Sequence, residues 1–321
     1  MKCLINNLMR EISPSNETWT EHIEIWNFES RYILAVMCLV ASFLLLSNSM
    51  MIVGILKTRD GKMSIPRKLF LSTSVCGIIT GLVLPIVGTS GFINNGCLVE
   101  YISTAILNFS MAMDFTKLIS IAVVRFLLLK YPLKNIVTDR FLYGVWLAEA
   151  VAVIAASSIN LTVQDASSMS YMETYRTMVW TYGTCSSAYL VIMIFLTWKL
   201  ISSFRSWQRK VHPGFTATNK GNNHKQRKAV KRLVLIAFVF VCCNVPFNVL
   251  CFVIIGFSDA TYSEKPLLLS RMALLSRWVY SFNSLYCGLN SCIFMLMDKR
   301  ILTLYFPKIM KPKIMLPQIN P

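Results

Sequence analysis

Apolar residues fall along this chain in long blocks separated by short polar segments, and that spacing predicts helices that cross a bilayer. A hydrocarbon core about 30 Å thick needs roughly 20 apolar residues in a helix. Seven windows of that order occur, at residues 32–56, 69–92, 99–129, 141–159, 177–201, 233–257 and 270–297. The third and seventh are over-long and are expected to tilt or to run past the hydrocarbon. The fold class that follows is all-α: a seven-transmembrane helix bundle at 32–297, with a tail at 1–31 before it and residues 298–321 after it. Past the last window, Asp298-Lys299-Arg300 leads into Ile301-Leu302-Thr303-Leu304-Tyr305-Phe306, which Pro307 ends. Residues 298–306 therefore read as a short amphipathic helix lying on membrane lipids, its basic residues facing anionic headgroups.

Composition agrees: 55% of the 321 residues are hydrophobic and 15% charged, with a mean hydropathy of +0.55, which is the profile of a multi-pass membrane protein. The net charge of +17 would suggest a nucleic-acid partner in a soluble chain, but here the basic residues gather between the apolar windows, so no nucleic acid is expected. Segments 57–68, 125–140 and 199–232 and the tail from Lys299 hold 24 of the 32 Lys and Arg, and the stretch 199–232 alone holds ten. By the positive-inside rule these four segments are cytoplasmic and the N-terminus is extracellular, at the plasma membrane. Sequons at Asn16-Glu17-Thr18 and Asn160-Leu161-Thr162 fall on the outer side and predict glycosylation at Asn16 and Asn160. A third match, Asn108-Phe109-Ser110, would be buried in the third span. Residues 211–224 are turn-rich and polar and read as a short cytoplasmic loop. Asn6, Asn7, Arg10 and Glu11 precede any long apolar run, which argues against a cleaved signal peptide. Ten cysteines without a CxxC pair suggest neither a metal site nor a disulfide scaffold.

The candidate chemistry centres on the third window. It closes on Arg125-Phe126, followed seven residues after Arg125 by Pro132-Leu133. Asn48 lies in Ser47-Asn48-Ser49, Trp146 in the fourth window, Phe240, Cys243 and Pro246 in the sixth, and Asn290 and Phe294 in Asn290-Ser291-Cys292-Ile293-Phe294. In order and spacing these motifs resemble a rhodopsin-like G protein-coupled receptor, over residues 32–306. The resemblance implies a receptor for an extracellular ligand that activates a heterotrimeric G protein. It places Arg125, Phe126 and Pro132 at the G protein contact and Phe240, Asn244, Pro246, Asn290 and Phe294 in the activation switch. Leu107, Asn244, Asn248 and Arg277 fall where a ligand pocket would be. The ligand is unidentified: a small molecule, lipid or peptide. Leu107 stands where aminergic receptors carry an aspartate and Ser284 where opsins carry a lysine, so neither class is favoured.

Departures from the pattern are specific. Val124 replaces the acid before the arginine, which implies a looser resting state; Cys76-Gly77 replaces the second-helix aspartate, Asn244 the sixth-helix tryptophan and Ser291 the seventh-helix proline. Asp114 precedes Arg125 by eleven residues, about three helical turns, so both share a face. Asp114 is expected to supply the missing buried carboxylate near Asn48, Asn283 and Asn290, either holding a sodium ion or paired directly with Lys117 one turn on. No other cofactor and no metal cluster is expected.

Plainer readings stand beside these. Arg125 is also placed to act as a snorkelling anchor, Asn244 and Asn248 to hold helices together, Glu149 to pack inside the bundle, and Arg271 and Arg277 to face headgroups. Cys97 lies near the family's outer third-helix cysteine, but 163–183 offers no partner; Cys3 and Cys185 remain as candidates. A coupling-deficient seven-helix scaffold is the alternative function, and a transporter or channel using Asp114, Lys117 and Glu149 a further one. No nucleophile–base constellation or HExxH-type motif occurs, so the chain is not expected to be an enzyme.

Overall fold

A computed structural model describes residues 18–58, 61, 63–90, 97–130, 171–210, 217–256 and 266–307, together with single positions between 140 and 151. Seven helices and no strand occur among them: α1 Thr18–Lys57, α2 Ile65–Ser90, α3 Cys97–Lys130, α4 Tyr171–Lys210, α5 Ala217–Gly256, α6 Pro266–Met297 and α7 Lys299–Tyr305. Helix is the form this sequence must take, because apolar runs in lipid have no water to satisfy backbone N–H and C=O groups. Among the described residues four helical stretches are long and apolar enough to cross a membrane: Arg31–Lys57, Ile65–Thr89, Gly183–Ser206 and Val230–Val253. The other two long helices carry charge within them, Asp114, Lys117 and Arg125 in α3 and Arg271 and Arg277 in α6. The described positions from Arg140 to Val151 are helical and, from Tyr143 on, fall in the fourth predicted window; the rest of that window lies outside the described residues.

The helices close a ring in which α1 meets α2, α2 meets α3, α3 meets α4, α4 meets α5, α5 meets α6 and α6 returns to α1, with α2 also touching α6. Polarity is turned inside out relative to a water-soluble bundle. Leu39 and Leu46 of α1 and Phe238 of α5 are 70%, 64% and 64% exposed, whereas Asn48, Asp114 and Asn244 are fully buried. Such a surface suits lipid, and in lipid the inward polar groups are the costly and informative ones.

Two boundaries differ from the sequence reading. Residues 217–224, read as loop, are the first turns of α5, leaving 211–216 between α4 and α5. Propagating a helix from an anchored span is cheap once nucleated, and Gly221 costs only about 1 kcal/mol against alanine. α1 similarly begins at Thr18, ahead of the predicted span, and its 40 residues make about 60 Å of helix.

The short helix predicted after residue 297 is present, as Lys299–Tyr305. Asp298 caps it by accepting from the Arg300 backbone N–H at 3.1 Å, and its carboxylate pairs with Arg67 of α2 at 3.2 Å. Ile301 is fully buried over Gly54 of α1, where a Cβ would stand 2.7 Å from the Ile301 side chain. Tyr305 donates its hydroxyl to the Met50 carbonyl at 2.6 Å. α7 is thus docked on the bundle as well as amphipathic, with Leu304 and Phe306 exposed.

Candidate functional site

The inward face of α3 repeats at helical spacing through Leu107, Met111, Asp114, Leu118 and Ile121, all buried. Asp114 is the one charge in that series. Its polar neighbours are Tyr286 and Cys287 of α6, yet neither reaches it with hydrogen-bond geometry, and both carboxylate oxygens are buried without a partner, as is the Tyr286 hydroxyl. The direct Asp114–Lys117 pair is not formed. Lys117 instead lies with its ammonium 5.5 Å from the centre of the Trp146 ring. One helical turn carries the two side chains to different neighbours, Asp114 toward α6 and Lys117 toward the helical positions around Trp146.

Beside Asp114, Phe115 stacks edge-on against Phe240 of α5 at 5.1 Å and Tyr189 of α4 at 5.7 Å, and tilted against Tyr286 of α6 at 5.1 Å. Phe240 and Tyr286 also meet at 5.6 Å. Four helices therefore share one aromatic hub directly against the buried carboxylate. Phe240 alone of this group was among the predicted switch residues. The placement of Tyr286 was legible in the spacing Asn283, Tyr286, Asn290, Phe294, which puts all four on one side of α6.

Asn48 of α1 does not join Asp114 by any described hydrogen bond. It donates to the Leu44 carbonyl at 2.8 Å and accepts from Ser291 at 2.6 Å. Because the Ser291 proton is engaged there, Ser74 must supply its own to Ser291 at 3.3 Å. Ser291, a departure from the receptor motif, is thus what ties α1, α2 and α6 together. Gly77 makes this possible: a Cβ on it would lie 2.5 Å from the Asn48 amide nitrogen. Asn290 has neither amide atom bonded, and Asn283 Oδ1 is likewise buried without a partner.

In α5, Asn244 and Asn248 fold back on their own helix around Pro246. Asn244 donates to the Phe240 carbonyl at 2.8 Å and Asn248 to the Asn244 carbonyl at 3.0 Å. Pro246 has no N–H to offer the Cys242 carbonyl, so the helix is weakened at that turn. Asn248 also accepts from Ser187 of α4 at 2.9 Å, a helix-to-helix bond. The Asn244 Oδ1 is buried without a partner.

Toward the C-terminal end of α3, Arg125 has the fully buried Val124 beside it in the chain where the receptor motif has an acid. Among the described residues the charge that acts on Arg125 is Arg232 of α5, which repels it, while Arg232 is itself drawn by Asp298. Arg232 lies over the Phe294 ring at 4.5 Å, and Phe294 packs on Phe70 of α2 at 4.0 Å. Phe126 is partly buried, with the Lys130 ammonium 5.7 Å from its ring centre. At the opposite end of the bundle from Arg125, Leu107 is buried, and so is Arg277, at 4% exposure, which removes it from the headgroup reading. Tyr280 donates to Asn108 at 3.4 Å and packs edge-on against Phe247 at 5.2 Å. Asn108 is thus an interior group, as expected for a chance sequon.

Cys185 is an exposed free thiol and does not pair with Cys97. Asn16, Pro132 and Asn160, with Glu149, the side chains of Arg271 and Cys97, and Cys3, lie outside the described residues. No family model matches the chain, and no curated protein matches it.

Proposed function

We propose that the chain is a rhodopsin-like receptor of the plasma membrane that crosses it seven times, N-terminus outside, and activates a heterotrimeric G protein. The observation that carries the reading is the polar track inside an otherwise lipophilic bundle. Its groups are Asp114, the Asn48–Ser291–Ser74 node and Arg125, and among the described residues the charge that acts on Arg125 is a like one, Arg232, where a carboxylate would hold a resting receptor. Intramembrane ionisable groups are expensive and persist where they do something.

Mechanically, a ligand entering between α3, α5 and α6 from the outer end would press on the Phe115–Phe240–Tyr286 hub. Motion is released at the weakened turn of Pro246, which carries the basic inner end of α5 away from Arg125 and opens a cleft for the G protein. This is a shift of population between two packings, driven only by the ligand's preference for one of them. Repulsion between Arg125 and Arg232 lowers the energy of the open packing before any ligand binds.

The oxygens at hand for a sodium ion at Asp114 are its own carboxylate and the Tyr286 hydroxyl beside it, and Asn283 and Asn290 on the same helix as Tyr286 also hold buried amide oxygens without partners. Such an ion would add to the compensation that the Lys117 charge gives Asp114 from one turn away.

Purified chain in nanodiscs with a panel of heterotrimeric G proteins provides the test, read as ligand-free nucleotide exchange. Exchange above the empty-nanodisc rate that falls with Arg125→Ala supports coupling. Absence of exchange and of complex formation with every G protein would replace this reading with the uncoupled scaffold.

A further inference from the structure

Away from the polar track, the outward side of the basic ends of α4 and α5 forms a groove of about 690 Å³. Its upper wall is apolar, with Phe204, Val234 and Phe238, and its mouth carries Arg205, Arg227 and Lys231, all three exposed. The placement follows the membrane. Arg205 is one residue from the end of the span Gly183–Ser206 and Lys231 one residue into Val230–Val253. Phe238 is seven residues deeper than Lys231, about 10 Å along the helix. Cations thus stand at headgroup level and apolar walls at acyl-chain level. The whole stretch 199–232 contains ten Lys and Arg and no Asp or Glu, so the stretch that forms the mouth supplies no carboxylate of its own.

We propose that this groove binds an inner-leaflet phospholipid whose headgroup bears phosphates beyond the phosphodiester, a phosphoinositide. Two guanidiniums and an ammonium converging on one site match several phosphate oxygens, and guanidinium takes phosphate in bidentate fashion. The apolar walls accept the first part of an acyl chain, which a soluble phosphate or an acidic peptide would leave unfilled. Occupation would bridge α4 to the helix that moves in the proposed activation, so the lipid would bias the position of α5. The inference rests on the membrane orientation proposed above, but not on coupling.

The test uses the full chain in phosphatidylcholine nanodiscs, which expose both faces, with no G protein present. Binding of a fluorescent phosphatidylinositol bisphosphate is measured for the wild type, for Arg205→Gln/Arg227→Gln/Lys231→Gln, and for a control triple, Lys57→Gln/Lys130→Gln/Lys299→Gln, that removes equal charge elsewhere. At about 1 kcal/mol per basic residue, the groove triple is expected to lose on the order of a hundredfold in affinity and the control triple much less. Phe238→Trp, which fills the groove and keeps every charge, should also weaken binding of the lipid. Equal losses in the two triples would reduce the effect to general electrostatics and overturn the site. Equal affinity for soluble inositol trisphosphate and the intact lipid would overturn the choice of lipid, and stronger binding of an acidic peptide would do the same.

Discussion

Gly77 should be intolerant of even one methyl group, and the cost can be worked from its surroundings. In Gly77→Ala the new Cβ stands 2.5 to 2.7 Å from the Asn48 amide, nearer than real Cβ contacts come. Asn48 cannot swing clear without giving up its bonds to Leu44 at 2.8 Å and Ser291 at 2.6 Å. Each buried bond is worth about 0.5–1.5 kcal/mol net, and forced overpacking costs about 1–3 kcal/mol. Replacing glycine within a helix returns at most about 1 kcal/mol. The net expectation is a loss of about 1–2 kcal/mol, read as a lowered thermal-unfolding midpoint of the detergent-solubilised chain. Asn48→Ala alone should also destabilise, but the double variant should be less impaired than the sum of the two, because the second change makes room for the first. An unchanged or raised midpoint for Gly77→Ala, or strict additivity in the double variant, would refute the packing of α1 against α2 described here.

Three further outcomes are expected. Asp114→Asn removes a buried charge without a hydrogen-bond partner and should raise the unfolding midpoint in sodium-free buffer, while abolishing any difference between sodium chloride and choline chloride; a sodium effect that survives would exclude an ion at Asp114. Phe115→Ala takes a ring from contacts with three helices and should cost about 3–5 kcal/mol, with Phe115→Leu milder, measured as surface expression and unfolding midpoint. Asn248→Ala should cost about 0.6–2 kcal/mol through the bond to Ser187, and Ser187→Ala added to it should cost nothing more; additive losses would show that the two residues do not act together.

The helical class and the polar interior were legible because apolar block length and intramembrane charge are direct consequences of what lipid tolerates. Asn48, Asp114, Asn244 and Asn290 could all be singled out as misfits in apolar runs, and all four are buried. Partner choice was not legible. Lys117 and Asp114 are one turn apart, which sequence spacing treats as a pair, yet a helix interior offers each a different neighbour, and α6 and Trp146 are distant in the chain. Ser291 looked like a loss by comparison with the receptor motif, because a hydroxyl's value depends on what faces it, here Asn48 and Ser74. Arg232 was hidden within a run of ten basic residues, and only the packing of α5 against α6, which seats it over Phe294, singles it out from the others.

The receptor reading is tested most directly by ligand-free second-messenger output from cells expressing the chain, Arg125→Ala and Arg232→Glu at matched surface levels. Basal output that Arg125→Ala abolishes, and that Arg232→Glu lowers by placing a carboxylate against Arg125, is the predicted result. Equal output from all three at the level of untransfected cells would contradict it.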